Sequence, residues 1–171
     1  MAQRLFTFTL ILFAALSRLL PHPPNFVPIT ALALFSGVYL DRKEAFLVPI
    51  LAMLLSDYVI GFHSGMIWVY GSFVAIGFMG LWLRNHPGML TTAGATLVGS
   101  VLFYVVTNLG VWAMQPSLYP QTFSGLIECY VAAIPFFRNT VLGDVVYVGM
   151  MFGAFELLKR TVPALRAQSI H

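Results

Sequence analysis

The sequence predicts an all-α integral membrane protein: a six-helix transmembrane bundle with an amphipathic outer-side helix before the last span. Three observations lead there. Of the 171 residues, 59% are hydrophobic and only 9% charged, where a soluble domain carries about 25% charged residues. The apolar residues gather into runs close to spanning length. The cations fall at alternate junctions between those runs, as the positive-inside rule requires. No polar linker, low-complexity tract or repeat divides the chain, so 1–171 reads as a single transmembrane domain.

The predicted spans are approximately 5–20, 27–40, 45–62, 67–83, 91–114 and 139–158. A spanning helix needs ~20 apolar residues, so the second run is short. The opening "MAQRLFTFTLILFAALSR" mimics a signal peptide, with Ala15 and Ser17 as a small-x-small pair, and is read as an uncleaved first helix. Between the first two spans, "PHPPNFVP" (21–28) fixes φ at each proline and biases the preceding residue toward extended geometry. This stiff segment either terminates one helix and sets the angle of the next, or holds His22 and Asn25 as a lid over a site.

The stretch "FSGLIECYVAAIPFF" (123–137) is too short to span. Phe123, Leu126, Ile127, Tyr130, Val131 and Ile134 recur at helical spacing, with Ser124, Gly125, Glu128, Cys129 and Ala132 on the other side. That pattern predicts a separate surface helix. With six spans, Arg4, Arg42, Lys43, Arg84, Lys159, Arg160 and Arg166 share the cytoplasmic side, while Arg18 and Arg138 lie outside. A seventh crossing at 123–137 would move the last three cations outside. The expected topology is therefore multi-pass, with both termini cytoplasmic.

Small-residue stripes occur at Ala33/Gly37, Thr91/Ala95/Gly99 and Gly149/Gly153. They suit close helix packing within the bundle, or docking of a partner membrane subunit. Trp68, Trp82 and Trp112 fall near predicted helix ends, as aromatic-belt anchors do.

Polar residues collect on the outer half. Asp57 lies ~7 Å below its helix end, and Asn108 and Asp144 ~9 Å, at 1.5 Å per residue. An acid in the middle of a spanning helix costs ~2.5–3.5 kcal/mol on insertion scales, so it turns inward and finds a partner. Arg18 and Arg138 are the expected partners of Asp57 and Asp144. The candidate binding residues are Arg18, His22, Asn25, Asp57, Asn108, Arg138, Asn139 and Asp144, either as structural ion pairs or as the wall of a ligand site. Two histidines at loop edges, His22 and His63, make a weak metal site. Cys129, the single cysteine, excludes an internal disulfide, and Glu128 beside it disfavours a thiolate. No metal and no cofactor is expected. No basic, aromatic-interleaved patch points to nucleic acid.

The motifs "RLLPHPPNFVPITALALFSG", "LSDYVIGF" and "CYVAAIPFFRNTVLGD" resemble a family of small uncharacterised bacterial membrane proteins. That family in turn resembles the S components of energy-coupling factor (ECF) transporters. The resemblance implies a substrate-binding membrane subunit for a vitamin-like micronutrient. Such a subunit binds its small-molecule ligand from the outer side and borrows transport energy from a transmembrane coupling subunit and ATPases. The chain has no G-x-x-x-x-G-K-[ST] of its own and no Ala-x-x-x-Ala on its first helix. The competing expectations are a structural or accessory subunit of a larger membrane complex and, with no catalytic motif to support it, a small membrane enzyme.

Overall fold

The computed structural model describes residues 2–161, and the side chains of residues 5–160. The predicted cytoplasmic placement of Arg166, and of the Arg4 side chain, lies outside the described residues. Six helices follow one another: α1 (Ala2–Leu19), α2 (Ile29–Tyr39), α3 (Glu44–Ile60), α4 (Met66–Arg84), α5 (Met89–Met114) and α6 (Phe123–Thr161). Three of them, α4, α5 and α6, are long and apolar enough to cross a membrane. Short connections turn each helix back along its predecessor. One end of the bundle therefore carries Tyr39, Glu44, Arg84 and Met89 and is called the terminal end; the other carries the proline segment.

The architecture is a ring of five around one. Helix α2 touches every other helix, while α1 packs on α3, α3 on α4, α4 on α5 and α5 on α6. Phe6 of α1 against Phe155 of α6, 5.7 Å between ring centroids, closes the ring. Residues Ile29 to Gly37 of α2 are all buried. At 11 residues this helix rises only ~16 Å, about half the ~30 Å hydrocarbon core. The protein sheathes it instead of lipid.

A short helix buried at both ends must satisfy its terminal backbone groups internally. Arg84 does so at the C-terminus: its Nε and Nη2 donate to the Gly37 carbonyl at 3.0 and 2.7 Å, and Nη2 also to Leu40 O. A cation there also matches the negative end of the helix dipole. Close approach to α4 rests on two glycines. A Cβ on Gly37 would lie 2.6 Å from backbone atoms of Gly80, and one on Gly80 would lie 2.7 Å from the Leu34 carbonyl. The Ala33/Gly37 stripe thus packs within the bundle, as does Gly99, whose Cβ would meet Thr30 and Ile76. Around Phe35, the rings of Phe6, Tyr39, Phe152 and Phe155 stand 4.8–6.2 Å away. Such aromatic contacts add to the area these rings bury at the centre of the bundle.

The predicted separate surface helix at 123–137 is corrected: these residues are the first third of α6, a continuous helix of 39 residues with Pro135 inside it. Pro135 leaves the Val131 carbonyl without its helical donor, yet the helix is held through the site. Tyr104 Oη donates to the Tyr130 carbonyl (2.5 Å), and Tyr130 Oη donates to Val105 O (2.8 Å). These bonds fasten α6 to α5 before the proline, and Ser100 Oγ donating to Asp144 fastens it after.

Candidate functional site

Three places in the bundle gather polar groups or open space, the first of them the predicted cluster at the proline-segment end. Asp57, in the last turn of α3 and 1% exposed, receives the Arg18 guanidinium from α1 at 2.8 Å. Tyr70 of α4 donates to its other oxygen at 2.7 Å. Arg18 also reaches Ser56 and the Met53 carbonyl. Both carboxylate oxygens and the cation are thus engaged within the fold, tying α1, α3 and α4 together. The expected Arg18–Asp57 pair forms.

The expected Arg138–Asp144 pair does not. Both residues sit on α6, six positions apart, a rotation of ~600° with a rise of ~9 Å, so they leave the helix on different sides. Arg138 is exposed and Asp144 is 1% exposed. Asp144 accepts from Ser100 Oγ of α5 at 2.6 Å, and Thr30 of α2 is its second hydroxyl partner. Among the described residues no cation pairs with it. Thr30 is the second residue of α2, so the carboxylate stands at that helix's first turn, where the backbone dipole is positive. Asp144 and Arg84 thereby bracket α2 at its two ends.

The remaining predicted residues do not converge. Asn25 is exposed with φ +64°, and Phe26 N donates to Pro23 O at 3.0 Å. This matches a type II turn, with Pro24 at the second position and Asn25 at the third. The turn places Phe26 against Tyr147 (5.6 Å) and over Gly143 of α6. His22 turns back on its own segment, with Nδ1 2.9 Å from Pro23 O. Asn108 donates to Tyr104 O one turn back, and Cys129, buried, contacts Asn108 O. Asn139 is half-buried, and Glu128 and His63 are exposed. Among the described residues, no group of three or more His, Cys, Asp or Glu side chains is placed to hold a metal ion. Trp68 and Trp112 pack as structural residues. The first covers Gly110 and donates to Met114 Sδ, and the second donates to Pro120 O.

The third place was not expected from the sequence. At the terminal end, α5 and α6 part to form a cleft of about 740 Å³, floored by Val38, Tyr39 and Leu83. Its α5 wall runs from Met89 to Leu97 and its α6 wall from Val145 to Glu156. Thr92 and Thr96 line it, but each hydroxyl donates to a carbonyl four residues back, at 2.8 Å. The wall is therefore apolar in effect. Its polar rim is Glu156, which accepts from Tyr39 Oη at 2.8 Å and pairs with Lys159 at 2.5 Å. A Cβ built on Gly149 or Gly153 would meet nothing within 4 Å. The Gly149/Gly153 stripe is thus a cleft wall and not a helix contact within the bundle. That stripe was the signal in the sequence.

With these geometries in place, similarity to known proteins bears on the chain. A family model described as a family of unknown function, DUF6580, matches residues 1–165. The chain belongs to that family. The match spans all six helices, so the Arg18–Asp57 network, the Asp144 cluster and the α5–α6 cleft all fall inside the shared region. No curated protein and no solved structure matches the chain.

Proposed function

We propose that this protein is a binding subunit of a bacterial cytoplasmic membrane, crossing it six times with both termini inside, and that it takes its ligand into the α5–α6 cleft. The observation carrying this reading is the cleft itself. About 740 Å³ of concave, apolar space with a polar group at one rim is the usual form of a small-molecule site. Binding without chemistry also suits the charged side chains, since Arg18, Asp57 and Tyr70 spend their hydrogen bonds on one another. The sharper role expected from the sequence is substrate binding for ECF-type uptake of a vitamin-like micronutrient, with a coupling subunit and ATPases supplying the energy. Uptake needs a site reached from the outer side, and the cleft, at the end that carries the termini, lends that form no support. The site then differs from the outer-side cluster first expected.

The test is native mass spectrometry of the gently solubilised full chain, with identification of any bound small molecule. A stoichiometric compound retained by the wild type and lost in Gly153→Leu supports the reading. The same compound load in both proteins sinks it. A second reading, an accessory subunit of a larger complex, draws on the uncovered Gly149/Gly153 face. It predicts that Gly153→Leu loses a protein partner instead.

A further inference from the structure

The binding reading leaves the chemistry of the occupant open, and the shape of the cleft narrows it. We propose that the cleft holds the hydrocarbon chain of an amphiphile drawn from one leaflet of the bilayer, with its head at the Tyr39–Glu156–Lys159 rim. This rests on the cleft being the binding site.

Height is the first argument. On α6 the wall runs from Val145 to Glu156, eleven steps of 1.5 Å or ~16 Å, about half of the ~30 Å hydrocarbon core. The upper limit is structural. Just beyond Val145 and Leu97, Ser100 and Asp144 join α5 to α6 at 2.6 Å. A spanning partner helix, ~30 Å long and ~10 Å across, would run into that junction halfway. A chain from a single leaflet ends where the cleft ends.

Wall chemistry is the second argument. Leu83, Leu97, Val145, Val148 and Phe152 present carbon, and the two threonine hydroxyls are spent on their own helix. A ligand body rich in hydrogen-bonding groups would enter at the cost of leaving them unpaired, about 1–3 kcal/mol each. A hydrocarbon chain has none to lose. The third argument is polarity along the axis. The polar rim lies at the terminal end, where Arg42, Lys43 and Arg84 also gather and where a headgroup sits when its chain points inward. Shallower grooves between α4 and α5 and between α1 and α6, of about 530 and 210 Å³, have no such rim.

The experiment uses the full chain in phospholipid nanodiscs containing either a phospholipid with a diazirine in its acyl chain or a diazirine-bearing isoprenoid phosphate. After photolysis, crosslinks are mapped by peptide mass spectrometry in the wild type, in Gly149→Trp and in Gly153→Leu. Neither substitution meets an atom within 4 Å of the new Cβ, and melting curves check that each variant folds. With either probe, the expected result is labelling of the 89–97 and 145–156 walls that falls about tenfold in a filled variant, the factor ~1.4 kcal/mol of affinity represents. Labelling of the exposed α1 face at Leu5 and Phe8 stays constant. Which probe labels more strongly identifies the source of the chain. Wall labelling no greater than that of α1, or unchanged in both variants, overturns the proposal. If a water-soluble metabolite or a partner polypeptide occupies the cleft instead, the lipid assignment also falls. A metabolite would leave the small-molecule reading standing, whereas a partner polypeptide would replace it with the accessory-subunit reading.

Discussion

Gly37 and Gly80 bring α2 and α4 together backbone to backbone, whereas Gly149 and Gly153, on the cleft wall of α6, face no side chain or backbone of a neighbouring helix. The two regions use the same residue type for opposite ends. At the α2–α4 crossing, the missing side chain is replaced at once by protein, and dispersion contacts at that distance stabilise the bundle. Along the cleft the missing side chains leave room. Tight packing at the centre and space at the edge are consistent with a bundle built around a fixed α2, with α6 as the helix that meets something else.

Substitutions that separate the two regions test this contrast, and the largest effect belongs to the crossing. Gly80→Leu places a branched side chain against the Leu34 and Ala33 carbonyls, 2.7 and 3.0 Å from its Cβ. Loss of the folded monomer on size exclusion is expected. Gly149→Leu should elute and melt as the wild type does; equal damage from the two would erase the distinction.

Next comes Asp57→Ala, which strands Arg18. Removing one partner of a buried pair costs about 3–5 kcal/mol. Arg18 keeps Ser56 and the Met53 carbonyl and is 15% exposed, so a loss of about 2–3 kcal/mol is expected in denaturant melts. A loss under about 0.5 kcal/mol would mean that the ion pair does not tie α1 to α3.

Smaller effects compare the two buried acids. Tyr70→Phe removes one donor from a carboxylate that still has its arginine. Ser100→Ala removes one from a carboxylate that pairs with no cation among the described residues. Hydrogen bonds to charged groups contribute about 1.5–3 kcal/mol. Ser100→Ala should fall in that range and Tyr70→Phe below it, read as the order of melting temperatures. The reverse order would mean that the α2 dipole and Thr30 suffice for Asp144. Last, Arg138→Gln should move the melting temperature by no more than about 1–2 °C, as an exposed side chain with no ion pair among the described residues implies. A drop of several degrees would show that Arg138 is engaged after all.

Much of this was readable from local pattern. Every predicted apolar run has its helix, because long apolar runs bounded by charged or proline-rich breaks favour helices. The Arg18–Asp57 pair was legible because both residues sit near the same end of neighbouring helices. The break before the last helix was misread. Pro135 is a helix-ending signal in water, but Tyr104 and Tyr130 fasten α6 to α5 before the proline and Ser100 with Asp144 after it. Asn25 carries a type II turn signature in its Pro-Pro-Asn sequence, and the turn needs no ligand to explain it. The Arg138–Asp144 pairing failed on helical phase alone.

The sequence by itself determined that the chain is apolar, helical and charged mainly at one end, because composition and periodicity act residue by residue. Only the tertiary structure decided that the shortest helix is the hub and that Arg84 and Asp144 serve its two ends. It also decided that one pair of glycines closes a contact while another lines a cleft. A glycine records that a side chain is missing; what fills the space is set by the distance to the next helix, which no local pattern encodes.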